Sequence, residues 1–317
     1  MEKNIVVLIR ITEEHKLMLQ EKAPGAIFTY TSEDKLTRQQ VEEASVIIGN
    51  PPPEMLKYSK SLELLQLFSA GVGEYGKAGV LPAGTILTNA SGAYGLAISE
   101  YMLGVLLELF KKLHLYRDNQ NESKWAYEGR VRSVYNSTAL VIGLGDIGGE
   151  FAKRLKALGA YTMGIRRTVA QKPDYLDEIY SMEKLPELLP RADIVALSLP
   201  ETSLTQKIIN SETIELMKKD AVLINVGRGT AVDTEALCDA LERGRLLGAA
   251  MDVTDPEPLP PDHRLWKIKN AVVTPHVSGG FSLDETRNRM VSIAANNLQA
   301  LYEGTGLKNV IDLEKGY

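Results

Sequence analysis

Ala139-Leu140-Val141-Ile142-Gly143-Leu144-Gly145-Asp146-Ile147-Gly148 is the stretch on which the fold turns. Four apolar residues read as a short buried strand, and a glycine-rich turn leads into a helix. That helix is expected over 150–158, with Phe151, Leu155 and Leu158 as its apolar positions and Gly159 as its stop. Gly143, Gly145 and Gly148 have the spacing G-x-G-x-x-G. The first glycine permits a tight turn, the second lets backbone approach a pyrophosphate, and the third lets helix and strand pack closely. Free N–H groups at the helix start, from Gly145 through Asp146 and Ile147 to Gly148, then face the anion. The spacing alone is a weak signal. Here a strand precedes it, a helix follows, and a second apolar strand comes at 160–165, which favours dinucleotide binding over an ordinary βαβ turn.

An NAD site usually has Asp or Glu about 20 positions past the glycines, accepting hydrogen bonds from the ribose hydroxyls. This chain has Gly164-Ile165-Arg166-Arg167-Thr168 there. No carboxylate repels a 2′-phosphate, and two guanidinium groups and a hydroxyl are present to bind one. NADP(H) is therefore expected in preference to NAD(H). A solvated arginine pair at a strand end is the alternative.

The chain has 317 residues, 44% hydrophobic and 24% charged, which fits a soluble globular protein of two domains. A net charge of −5 gives no support for nucleic-acid binding. The single cysteine, Cys238, excludes an intramolecular disulfide and fits a reducing, cytoplasmic compartment. In its helical stretch it reads as core rather than nucleophile. The N-terminal apolar run at 5–9 is too short for a signal peptide's core and reads as a first strand. No run approaches the ~20 apolar residues of a membrane span. Neither H-x-x-x-H nor C-x-x-C spacing occurs, so no metal site is expected, and no G-x-S-x-G elbow points to a hydrolase.

Residues 1–90 alternate strands, at 5–9, 26–30, 46–49 and 64–68, with helices at 13–22, 37–44 and 51–58. After the strand at 64–68, Ser69-Ala70-Gly71-Val72-Gly73 is either a nest of N–H groups for a carboxylate or a plain turn. A long apolar helix is expected over 93–116, then a polar segment at 117–132 whose Trp125 reads as a packing anchor. Strands at 193–198, 221–226, 248–253 and 271–274 and helices at 211–217 and 234–242 continue the unit that holds the glycines. Such alternation predicts an α/β fold: a doubly wound parallel sheet of Rossmann type, with ligands at the carboxyl ends of its strands. A last helix at 282–302 is expected to return to the first domain. The expected domains are a smaller, discontinuous substrate-binding α/β domain over 1–92 and 282–317, and a dinucleotide-binding domain over 93–281.

Three polar residues share one address at or just past a strand's carboxyl end: Arg228, Glu257 and His276. Reducing a 2-oxo acid requires that its carboxylate be held, that its carbonyl oxygen receive a proton, and that the nicotinamide face the carbonyl carbon. Arg228 can bind carboxylate and polarise a carbonyl. His276 suits the acid in reduction and the base in oxidation. Glu257 can orient the imidazole and favour its protonated form.

Four motifs, Gly143-Leu-Gly-Asp-Ile-Gly148, Asn225-Val-Gly-Arg-Gly229 with Ala231-Val-Asp233, Asp252-Val-x-x-x-Glu257-Pro and Thr274-Pro-His276, resemble in order and spacing those of the D-isomer-specific 2-hydroxyacid dehydrogenases. Arg166-Arg167-Thr168 and Pro256-Glu257-Pro258-Leu259-Pro260 resemble the NADP-dependent glyoxylate/hydroxypyruvate reductase branch. The resemblance implies a flavodoxin-like substrate domain, with Arg228 binding substrate, His276 as acid/base and Glu257 as its partner. It implies that the backbone of Ala70, Gly71 and Val72 holds the substrate carboxylate. Val226, Asp252 and Ser278 would line the nicotinamide end, and Leu199 and Pro200 the adenosine side. Tyr94 stands where a smaller or amide residue is common near the substrate. The implied protein is a homodimer paired through its nucleotide domains, transferring a hydride between NADP(H) and a small 2-oxo or 2-hydroxy acid. The alternatives are an NAD-dependent dehydrogenase for a bulkier side chain and a nicotinamide-sensing, corepressor-like binding protein.

Overall fold

Runs of leucine, isoleucine and valine set the strands, and the register between neighbours decides which of those side chains share a face. The computed structural model describes residues 3–168, 171–280 and 283–313. The chain divides into two units, Met1–Tyr94 with Phe281–Tyr317, and Gly95–Gly280.

In the first unit β1 (Asn4–Val7), β2 (Ile27–Tyr30), β3 (Val46–Ile48), β4 (Leu64–Gln66) and β5 (Ile86–Thr88) form a parallel sheet in the order β2-β1-β3-β4-β5. Pairing of Val6 with Ile47, Ile47 with Leu65 and Leu65 with Leu87 lines up one apolar row across four strands. Val41 and Leu56 pack on it. Each such side chain contributes about 1.5–3 kcal/mol by leaving water. Helix Glu13–Lys22 starts at a reciprocal cap, in which Thr12 Oγ1 accepts the His15 N–H and His15 Nδ1 accepts the Thr12 N–H. That fixes the hydrogen of His15 on Nε2, which donates to Asn288 Oδ1 at 2.9 Å. Asn288 lies on the closing helix, Asp284–Glu303. Further along it, buried Asn297 donates to Gln66 Oε1 on β4 at 2.7 Å. Ser282, where this helix was expected to begin, lies outside the described residues.

In the second unit β6 (Thr138–Ile142), β7 (Tyr161–Ile165), β8 (Glu178–Tyr180), β9 (Ile194–Leu197), β10 (Val222–Asn225), β11 (Gly248–Met251) and β12 (Ala271–Val273) form a parallel sheet. Its order is β12-β11-β10-β9-β6-β7-β8. Met163, Leu140, Val195, Leu223 and Ala249 pair in register across five strands and form the centre of the core. Cys238 is fully buried on helix Thr234–Glu242, and burial pushes its thiol up to about 11.

Four points of the sequence reading need correction. β8 has no counterpart in the sequence reading, because a half-buried edge strand of three residues lacks an apolar run. The long helix expected over 93–116 is two helices, Gly95–Lys111 and Leu113–Asn121, separated at Lys112, whose φ is +59°. Trp125 is fully exposed and anchors nothing within this chain. Glu128 ties the segment down instead: its carbonyl accepts from Lys112 Nζ, its carboxylate accepts from Asn119 Nδ2, and its N–H donates to the Tyr116 hydroxyl. Leu158 also turns outward at the end of helix Asp146–Ala157, where Gly159 takes φ +83°.

Candidate active site

The glycine turn follows β6. Gly143 has φ +97°, and a Cβ there would lie 2.6 Å from the Ser198 carbonyl oxygen, so only glycine fits. A Cβ on Gly148 would lie 1.9 Å from the Gly143 carbonyl oxygen. Around Gly145 a Cβ would meet nothing within 4 Å, and that open space is what a pyrophosphate needs beside the backbone. Helix Asp146–Ala157 has no side-chain cap, so its first N–H groups remain available to an anion. These residues fit a dinucleotide. The Asp146 carboxylate is otherwise engaged, accepting the Gly95 N–H at 2.6 Å, so its backbone is the part left for a phosphate. β7 ends in Ile165, followed by half-buried Arg166 and exposed Arg167 and Thr168.

Along the carboxyl edge of the sheet the expected site residues follow the strand order. Arg166 to Thr168 follow β7, the glycines follow β6, and Leu199 and Pro200 follow β9. Val226 and Arg228 follow β10, Asp252 and Glu257 follow β11, and His276 and Ser278 follow β12. The sheet thus orders the arginine pair, the glycine turn, and Arg228, Glu257 and His276 along one line. Neighbouring strands are about 4.8 Å apart.

Arg228 sits in a tightly bracketed turn. Buried Asn225 accepts the Gly227 N–H at 3.1 Å and donates to the Arg228 carbonyl at 2.9 Å. A Cβ on Gly227 would lie 2.7 Å from Leu199 backbone, and one on Gly229 would lie 1.9 Å from the Thr254 carbonyl oxygen. The flanking strands therefore clamp the Gly-Arg-Gly backbone, and the half-buried Arg228 side chain donates to the Gly227 carbonyl at 2.7 Å.

Glu257 Oε1 lies 2.7 Å from His276 Nδ1, with both side chains a little under half exposed. A carboxylate only accepts, so Nδ1 carries hydrogen and Nε2 is the nitrogen not engaged by Glu257. His276 has φ +52°, a conformation a histidine keeps only when its surroundings impose it. Its N–H donates to the Asp252 carbonyl at 2.8 Å. The Asp252 carboxylate is buried and accepts from Thr274 Oγ1, the Val277 N–H, and the N–H and hydroxyl of Ser278.

In the first unit, the turn after β4 is held by its carbonyls. Asn89 donates to the Ala70 carbonyl, Ser69 to that of Gly71 and Tyr94 to that of Phe68. Asn50 accepts the Phe68 N–H and donates to Ser69 Oγ. The N–H groups of Ala70, Gly71 and Val72 have no acceptor among the described residues. Tyr94 is buried as a brace of this turn, with its hydroxyl pushed up to about 12 by burial. Sequence reasoning missed Asn50 and Tyr101, and quoted Asn225 and Thr274 only inside motifs. A polar residue directly after a buried strand was the available signal for Asn50.

A family model described as D-isomer specific 2-hydroxyacid dehydrogenase, NAD binding domain, matches residues 103–278. The chain is 33% identical over 258 residues to a glyoxylate reductase of Thermofilum pendens, covering 79% of this chain and 75% of that protein. A solved D-isomer specific 2-hydroxyacid dehydrogenase family protein from Aeromonas salmonicida matches with a TM-score of 0.87 at 28% identity, over 99% of this chain and 100% of the other. The D-isomer specific 2-hydroxyacid dehydrogenase from Xanthobacter autotrophicus, solved with NADPH and MES, gives 0.83 at 25% identity over 100% of both chains. With its glycine turn, its Arg228 clamp and its paired Glu257 and His276 in that frame, the chain belongs to the D-isomer-specific 2-hydroxyacid dehydrogenases, enzymes that act on the CH–OH group of donors with NAD(P).

Proposed function

We propose that this chain is an NADP(H)-preferring reductase of small 2-oxo acids, of the glyoxylate or hydroxypyruvate kind. The observation that carries the cofactor preference is the end of β7, where Arg166, Arg167 and Thr168 stand and no carboxylate does. The glyoxylate reductase relative and the NADPH-bound neighbour support the reading.

The bound cofactor supplies the hydride. Arg228 engages the substrate's carboxylate and polarises its carbonyl, held against drift by the clamp on Gly227 and Gly229. His276 donates a proton from Nε2 to the oxygen on which charge develops, and takes it back in oxidation. Glu257 fixes the imidazole through Nδ1 and so aims Nε2. Ala70, Gly71 and Val72 offer three N–H groups to a substrate carboxylate. Val226 and Ser278 belong to the nicotinamide end, Leu199 and Pro200 to the adenosine side, and Gly143 to Gly148 to the pyrophosphate.

The protein is further proposed to be a cytoplasmic homodimer. Its one cysteine is buried and reduced. Trp125, Tyr127 and Tyr135 each expose a large ring on the nucleotide unit, and exposed aromatic side chains are enriched where protein surfaces associate. Light scattering that returns a monomer would remove the dimer.

Initial rates with NADPH and NADH on glyoxylate, hydroxypyruvate, pyruvate and a branched 2-oxo acid test the function. Fast NADPH turnover of the two small acids is expected. Preference for NADH or the branched acid would overturn the substrate and cofactor assignments and leave the reaction class standing.

A further inference from the structure

We propose that Tyr101 and Thr274 are positioning residues for this reaction, which hold His276 in its left-handed backbone conformation by fixing the carboxylate of Asp252. The inference rests on His276 being the acid/base.

Asp252 brackets His276 from both sides. Its carbonyl accepts the His276 N–H at 2.8 Å. Its carboxylate accepts the next two N–H groups, from Val277 at 2.9 Å and Ser278 at 3.1 Å. Those three bonds hold a residue at φ +52°, which without them would relax to an extended or right-handed conformation. Relaxation would swing the imidazole off Glu257, because the ring is too exposed for packing to retain it.

The carboxylate must itself be held at one rotation to serve two backbone donors. Ser278 Oγ donates to Oδ2 at 2.5 Å, and Thr274 Oγ1 donates to Oδ1 at 2.6 Å. Thr274 has one hydroxyl hydrogen and Asp252 can only accept, so Thr274 gives to Asp252 and must receive from its other partner. That partner is the Tyr101 hydroxyl, 2.6 Å away on helix Gly95–Lys111. The chain therefore runs in one direction, from Tyr101 through Thr274 to Asp252, and each bond strengthens the next. Burial pushes the Tyr101 hydroxyl up to about 12, so it stays a donor at working pH.

The same count shows how firmly the Asp252 carboxylate is held. Two carboxylate oxygens offer about four acceptor sites. Four donors from Thr274, Val277 and Ser278 fill them, and the residue is 1% exposed. Asp252 therefore ties the end of β11 to the loop that carries His276 and Ser278.

The test compares Thr274→Val, Thr274→Ser, Tyr101→Phe and, in parallel, His276→Gln, in steady-state kinetics with NADPH and glyoxylate or hydroxypyruvate. Thermal melts accompany each variant. Thr274→Val is expected to lower kcat about 30- to 100-fold, the scale of a misplacement of about 1 Å, with the KM for NADPH within about twofold of wild type. Tyr101→Phe should lower kcat by a smaller factor, about three- to tenfold, because Thr274 keeps its bond to Asp252. Thr274→Ser, which retains the hydroxyl, should restore kcat. Wild-type kcat in both Thr274→Val and Tyr101→Phe, with His276→Gln inactive, overturns this inference alone. A raised KM for NADPH with kcat intact also overturns it, by assigning the cluster to cofactor binding. Retained turnover in His276→Gln overturns the acid/base reading beneath it. Should Thr274→Val fail to fold, wild-type kcat in Tyr101→Phe overturns the inference.

Discussion

The Cβ that Gly148 lacks would lie 1.9 Å from the carbonyl oxygen of Gly143, so helix and turn touch with no side chain between them. Gly145, between the two, borders open space and has φ −80°, which alanine adopts without strain. The glycines thus have separable duties. Gly148→Ala should lower the melting temperature and abolish NADPH binding together. Gly145→Ala should melt like wild type without cofactor and raise the Kd for NADPH at least about tenfold, because a methyl occupies the space for a pyrophosphate. Fluorescence titration of both variants checks this. A wild-type Kd in Gly145→Ala would remove the pyrophosphate from this turn.

Arg166→Asp places a carboxylate where a ribose hydroxyl would be welcomed and a 2′-phosphate repelled. The ratio of kcat/KM for NADPH over NADH should fall by about 100-fold, the loss of a charge-assisted pair together with new repulsion. Rates at subsaturating cofactor measure it. An unchanged ratio would return Arg166 to the solvent.

His276→Ala should cost about 100- to 10,000-fold in kcat while NADPH binding holds, since in the proposed mechanism Nε2 gives the proton, whereas the glycine turn and Arg166 proposed for the phosphates follow β6 and β7. Glu257→Gln keeps a partner for Nδ1 but removes its charge, so a smaller loss, about tenfold, is expected. Near-normal turnover of His276→Ala would take the acid/base role away from this residue.

Asp193 links β9 to its surroundings rather than to the site. Its carboxylate accepts from Arg132 Nη2 at 2.7 Å, the Thr138 N–H at 2.8 Å and Lys218 Nζ at 3.1 Å. Burial alone would raise its pKa, but the Thr138 N–H, Lys218 and Arg132 outweigh burial and hold it below the ordinary value. A depressed folded pKa gives stability that is present above the unfolded value near 4 and fades as pH falls through the folded value. Asp193→Asn should therefore destabilise by about 2–3 kcal/mol at neutral pH, and the gap to wild type should narrow below about pH 4. Melting curves at pH 7 and about pH 3.5 read both. A gap that is constant with pH would sink the assignment.

Strands with unbroken apolar runs, such as Leu140-Val141-Ile142 and Leu223-Ile224, were legible in the sequence because a parallel strand buried on both faces is built mainly of apolar residues. The address shared by Arg228, Glu257 and His276 was legible for a related reason: each follows such a run. β8 was not, since Glu178-Ile179-Tyr180 is half-buried at an edge and has the pattern of a loop. Trp125 misled because a large ring in a polar segment reads as an anchor, whereas the chain folds without covering it. Tyr101 and Thr274 lie 173 positions apart and look like an ordinary helix residue and a strand end. Only the packing of helix Gly95–Lys111 on β10 and β11, within reach of the residue after β12, turns them into one relay.

The burial of Cys238 has a practical consequence. With no exposure and a thiol held near 11, it resists alkylation and maleimide chemistry under mild conditions. The natural chain is thus a silent background for site-directed labelling. A cysteine introduced at an exposed position such as Trp125 would be the sole reactive thiol, and one fluorophore or spin label there would report on self-association without any prior removal of native cysteines.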